Sequence, residues 1–218
     1  MKLLLTVLVL CSSVLSHAQK FHFGIKANAA ISDVSITMIK RERPYFNEST
    51  HSKVGFCGGL FAEVPLFKYA SVQAEALYSN AGFRYDYRFG DERSYNYTIN
   101  YWSFPFVVKA RLKGFALVGG VQYSSLISAK KSPANNESKI IDDPDVKSSH
   151  QPEEWALVYG IEYTAPFGLG ANIRYHYGLT SISKPSPPAL SYQEQVYLVD
   201  DKIYNSIIQF GIYWRFLK

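Results

Sequence analysis

Seven ionisable side chains share one pattern. The carboxylates Glu63, Glu75 and Glu162 and the bases Lys26, Lys109, Arg174 and Arg215 each sit in the polar phase of a segment whose alternate residues are apolar. Brought together on one enclosed face, such a set would form an ion-pair core or line a narrow path for an ion or a proton. A charge buried there without a partner would be costly, so pairing is the expectation. His176, two residues after Arg174, is a candidate general base. No Ser or Asp motif accompanies it, and a hydrogen-bonded interior histidine is the commoner role. Cys57 has no His or Cys companion at ligand spacing, so neither a metal site nor a cofactor is expected.

The elements that carry these residues read as strands. The spacing predicts eight of them, at Phe21–Ile31, Lys53–Val64, Tyr69 to about Tyr85, about Tyr95 to Leu112, Phe115–Ala129, Trp155–Thr164, Leu169–Ser181, and from near Ile203 to the end. Links after the second, fourth and sixth are short and contain Pro or Gly: Pro65-Leu66-Phe67-Lys68, Lys113-Gly114 and Ala165-Pro166-Phe167-Gly168. The other connections, Ser32–Thr50, Asp86–Ser94, Lys130–Glu154 and Ile182–Lys202, are long and polar. In a meander with an even strand count this puts every short turn on one rim and every long loop on the other.

The final strand decides how the sheet ends. From Ile208 its apolar set is Ile208, Phe210, Ile212, Trp214 and Phe216, and its polar set is Gln209, Gly211, Tyr213 and Arg215. Such a strand must pair with something, and pairing with the first strand closes a barrel. At the other end, Met1-Lys2, the apolar run Leu3–Leu10 and the small residues Ser16-His17-Ala18 read as a secretory signal peptide over residues 1–18, with the barrel over 19–218. Leu10 is too bulky to make Cys11 a lipoprotein cysteine, and after cleavage Cys57 stands alone, so no disulfide framework is expected.

Composition fits an envelope barrel and excludes other classes. Aromatic residues make up 16% of the chain, with 17 Tyr and 14 Phe, as in β-structure at lipid interfaces. Mean hydropathy is −0.10, and no run after the signal segment is long enough for a spanning helix. A formal charge of +5, spread along the chain, gives no basic stripe for nucleic acid. A soluble ligand-binding barrel would put its apolar face inward. Here the polar face mixes Gly24, Gly55, Gly59, Gly120, Gly160, Gly170, Gly178 and Gly211 with the long charged chains. That mixture suits a narrow tube in which each large side chain needs an empty neighbour. The fold class is therefore all-β: an eight-stranded antiparallel up-and-down transmembrane β-barrel with short periplasmic turns and long extracellular loops. Tyr78, Tyr101, Tyr123, Trp155, Tyr163, Tyr175, Tyr177 and Trp214 are expected in its interfacial girdle.

Two resemblances follow from these residues. Gln209, Gly211, Trp214 and Phe216 resemble the terminal assembly signal of outer-membrane β-barrels, which implies recognition by the barrel-insertion machinery. Gly24-Ile25-Lys26-Ala27, Tyr101-Trp102-Ser103-Phe104-Pro105-Phe106-Val107-Val108-Lys109 and Arg174-Tyr175-His176-Tyr177-Gly178-Leu179-Thr180 resemble the outer-membrane barrel domain abundant in Bacteroidetes, often called PorT-like. The resemblance implies location in the bacterial outer membrane among its lipids, not an activity. The expected role is non-enzymatic: a structural or interaction barrel with loops outside and a side-chain-filled interior. The alternatives are a small pore, a barrel enzyme acting on lipid or peptide, or a component of a secretion or envelope assembly machine with an unknown protein partner. In the loops, Lys40-Arg41-Glu42-Arg43 has the charge to meet lipopolysaccharide phosphates. Asp142-Asp143-Pro144-Asp145 lacks the Gly and distal Glu of a calcium loop.

Overall fold

A computed structural model of the protein describes residues 21–37, 49–89, 91–134, 145–184 and 202–216. Eight strands follow in order: β1 (His22–Thr37), β2 (Ser49–Phe67), β3 (Ala70–Phe89), β4 (Asp91–Leu112), β5 (Phe115–Pro133), β6 (Glu153–Thr164), β7 (Leu169–Gly178) and β8 (Lys202–Arg215). Each pairs antiparallel with the next, and β8 returns to β1, with Gly24 opposite Arg215 and Thr37 opposite Lys202. The backbone groups of the last strand are thereby paired, and no sheet edge is left open along the closed part. Lys113 and Gly114, with φ of 48° and 87°, make a two-residue turn whose positive φ angles match the right-handed twist of the flanking strands.

Alternation decides the two faces. Along β4 the outward set Trp102, Phe104, Phe106 and Val108 is about half exposed, whereas Tyr101, Ser103, Val107 and Lys109 are buried. The same holds around the wall, with Phe23, Ile25, Leu117, Leu157, Ile161, Ile173, Phe210 and Ile212 outward. An exposed apolar belt of this extent has no place in water and requires hydrocarbon. The outward run from Trp102 to Leu112 climbs about 25 Å at the usual strand rise and tilt, the height of a barrel's lipid-facing band.

The strands outrun that band on one side. Residues 86–89 and 91–94, expected as part of a loop, instead continue β3 and β4, with Asp86 opposite Ser94 and Phe89 opposite Asp91. The physical reason is the alternation Tyr85, Asp86, Tyr87, Arg88, Phe89, which keeps a strand's period although its polar half suggests a loop. Both faces of the wall then change character at one level. Outside, the Tyr78–Trp102 ring contact is succeeded by a polar row in which Asn80 donates to Asn100 (2.6 Å) and Asn100 to Ser128 (2.9 Å). Inside, the serines 79, 103 and 124 give way to Tyr101, Leu126, Ile99 and Phe83. Below this level the barrel is polar inside and apolar outside; above it the order is reversed, as water on the outside demands.

Candidate functional site: the filled lumen

Six of the seven charges singled out in the sequence meet in the periplasmic half of the lumen. Lys26, on β1, reaches Glu75 of β3 at 2.9 Å and Glu162 of β6 at 3.2 Å. Arg174, on β7, donates through Nη2 to Glu75 at 2.7 Å and to Glu162 at 2.6 Å, and through Nε to Glu162 at 3.1 Å. Lys109, on β4, donates to Glu162 at 2.5 Å and stands 3.5 Å from Glu63 of β2. Six of the eight strands therefore meet across the bore in one ionic lattice, with each carboxylate shared between cations. The lattice residues are no more than 5% exposed. Desolvating them is costly, and only multiple pairing offsets that cost.

Arg111 was not singled out in the sequence, yet it pairs with Glu63 at the periplasmic mouth. Its signal was the phase it shares with Lys109, two residues earlier. Arg215 corrects the expectation in the other direction. It lies half-buried at the same mouth, and among the described residues it forms no ion pair, because Glu63, the carboxylate at that end, is already held by Lys109 and Arg111. Space is made by glycine. A Cβ on Gly160 would lie 2.8 Å from Arg174 Cα and 3.0 Å from its Cγ, and one on Gly170 would sit 2.1 Å from the Tyr213 ring. That ring packs edge-on against Phe61, and the ammonium groups of Lys26 and Lys109 approach both rings.

Above the lattice lies a polar chamber of about 20 Å³, lined in part by Cys57, Gln122, Glu154, His176, Asn205 and Gln209. It is large enough for a water molecule and far too small for a lipid or peptide. Ser, His and Glu all line it, but they do not make a relay. The serine hydroxyls bond one another, Glu154 accepts from Asn205 at 2.8 Å, and His176 bonds neither the serines nor Glu154. Cys57 is buried as a free thiol in this wall. No group of three metal-ligating side chains is present among the described residues.

An apolar tier closes the lumen at the extracellular end. It consists of Val34, Phe83, Ile99, Tyr101, Leu126, Ala129 and Ile182, with Tyr97, Val146 and Ile203 packed against them. Ile182 and Val146 come from the loops after β7 and β5, so loop residues cap the bore. Tyr101, expected in the girdle, is 3% exposed and belongs to this tier, because it shares the inward phase of Ser103 and Lys109. Trp155, Tyr163, Tyr177 and Trp214 do face outward. Of the assembly-signal residues, Gln209 faces the lumen and Gly211 packs its backbone on Asn28, whereas Trp214 and Phe216 face out. Lys40–Arg43, Asp142–Pro144 and the signal segment lie outside the described residues; Asp145 pairs its backbone with Lys130.

A model of the family described as "Outer membrane protein beta-barrel domain" matches residues 17–184. The chain belongs to this family. It is an outer-membrane β-barrel protein, set among the lipids of that membrane. Among solved structures, the chain is similar to OprG from Pseudomonas aeruginosa, at 13% identity and a TM-score of 0.49, over 92% of this chain and 98% of that one. It is also similar to Ail of Yersinia pestis, in complex with the heparin analogue sucrose octasulfate, at 14% identity and 0.46, over 90% and 99%. Neisserial surface protein A gives 13% and 0.47, over 89% and 97%. No curated protein sequence matches the chain.

Proposed function

We propose that this barrel is a non-enzymatic structural and interaction protein of the PorT-like kind found in Bacteroidetes, with a self-plugged lumen and a working surface at its extracellular end. The observation that carries the reading is the buried lattice of Lys26, Glu75, Arg174, Glu162, Lys109 and Glu63 across the whole bore. Charges held this tightly are occupied with one another, and the polar chamber above them has no room for a substrate. The extended β2–β5 wall and the capping loops remain as the surface that can meet a partner in the envelope. On this reading residues 1–18 are a removed signal peptide, and Gln209, Gly211, Trp214 and Phe216 address the chain to the barrel-insertion machinery.

The test is photo-crosslinking in intact cells from a reactive side chain placed at Lys147 or Lys184, together with turnover assays of the refolded protein on phospholipid and peptide substrates. A discrete crosslinked envelope protein and no turnover are expected. Hydrolysis of either substrate, lost on replacing His176, would overturn the reading.

A further inference from the structure

Among the described residues, the periplasmic rim and the extracellular end differ in charge. Lys68 and Lys113 are exposed there, and Arg111 and Arg215 are half-buried. All three carboxylates of that half of the barrel, Glu63, Glu75 and Glu162, are buried in the lumen lattice. Among the described residues, every charge this rim presents outward is therefore positive. The opposite end mixes signs, with Asp145 and Glu153 exposed near Lys147 and Lys184.

Two of these cations stand on neighbouring turns. Lys68 lies in the β2–β3 turn and Lys113 in the β4–β5 turn, and the turns are neighbours, because Arg111 N–H donates to Tyr69 C=O at 2.7 Å. Around them the outward side chains are apolar and well exposed: Phe67 at 77% and Leu112 at 64%, with Tyr69 and Phe115 beside them. The Lys68 ammonium stands 5.1 Å over the Tyr69 ring. Aromatic side chains mark the depth of the headgroup region, and lysine stems run along apolar surface to deliver the ammonium to it.

We propose that Lys68 and Lys113 form a binding site for the phosphate diester of an anionic phospholipid in the periplasmic leaflet, with its acyl chains lying over Leu112, Tyr69 and Phe115. Chemistry selects this occupant. The ammonium groups sit at phosphate depth, the surface directly beneath them is apolar and half or more exposed, and no described carboxylate on the rim competes. An acidic segment of a periplasmic protein would satisfy the lysines but would leave the belt of Phe67, Leu112 and Phe115 to ordinary lipid.

The test uses a full mature chain carrying Phe115→Trp as the sole tryptophan, with Trp102, Trp155 and Trp214 each replaced by Phe, refolded into phosphatidylcholine vesicles. A minor fraction of either brominated phosphatidylglycerol or brominated phosphatidylcholine is included as quencher. Each lysine near the surface enriches anionic lipid roughly fivefold, so quenching by the brominated phosphatidylglycerol should exceed that by the brominated phosphatidylcholine about twofold or more, and the excess should fall in high salt. Lys68→Gln with Lys113→Asn should abolish the excess; Asn is chosen because it tolerates the positive φ of that turn. Lys147→Gln with Lys184→Gln, at the other end, should leave it intact. Equal quenching by the two lipids, or an excess that survives loss of both rim lysines in a protein that still shifts on heating in gels, would overturn the proposal.

Discussion

Replacing Glu162 by Ala removes the most heavily shared carboxylate of the lumen. It accepts from Lys109, from Lys26 and twice from Arg174, and its side chain is 1% exposed. After its loss Lys26 and Arg174 retain Glu75, at 2.9 and 2.7 Å, and Lys109 retains only Glu63, at 3.5 Å. Removing one partner of a buried pair costs typically 3–5 kcal/mol; because every stranded cation keeps a second carboxylate, the low end, about 3 kcal/mol, is the expected loss. The assay is urea-dependent unfolding of the protein from lipid vesicles, supported by the temperature at which the folded band is lost on gels. A second variant isolates the ionic cause. Adding Lys109→Met to Glu162→Ala removes the worst-placed cation and should recover about 1 kcal/mol or more of what the single change lost. A single-mutant loss under about 1 kcal/mol, or two losses that simply add, would refute the claim that the lattice acts as one unit.

Further expectations follow from the same geometry. Gly160→Ala should destabilise by about 1–3 kcal/mol, because its Cβ would sit 2.2 Å from Ile173 O and press on Arg174, whereas Gly119→Ala, with nothing within 4 Å, should be neutral in the same unfolding assay. Phe106→Arg, halfway up the lipid-facing band, should cost about 2–4 kcal/mol, against almost nothing for Lys113→Arg at the rim. Ile182→Asp should open the apolar cap and speed protease cleavage within 145–184 without producing a current, since the lattice below is untouched; a current in that variant would place the barrier in the cap. Cys57, 1% exposed, should resist maleimide labelling until the barrel unfolds.

The strands and the inward set were legible because a lipid-facing barrel imposes a strict period of two. Lys26, Glu63, Glu75, Lys109, Glu162 and Arg174 follow from that phase alone. What the phase did not reveal was where along each strand the surroundings change. Tyr101 reads as an interfacial aromatic by type, yet it lies inside, just where the lumen becomes apolar above the bilayer. Glu154 shares the phase of Glu162 and is buried in the chamber wall, but polar neighbours at a strand start disguise it as loop. The β3–β4 hairpin was cut short for the same reason, since aqueous strands carry charges that membrane strands do not. Arg111 and Arg215 differ only in which of them reaches Glu63, a competition that depends on side-chain reach across the bore and that no one-dimensional pattern records.

Current through the refolded protein in a planar lipid bilayer tests the plugged lumen most directly. With six charges paired across the bore, a chamber of about 20 Å³ above them and an apolar tier over both, the protein should carry no steady current. Glu162→Ala should lower stability and still conduct nothing. Robust cation-selective conductance in the unmodified protein, abolished by Glu162→Ala, would contradict the account and make the lattice an ion path.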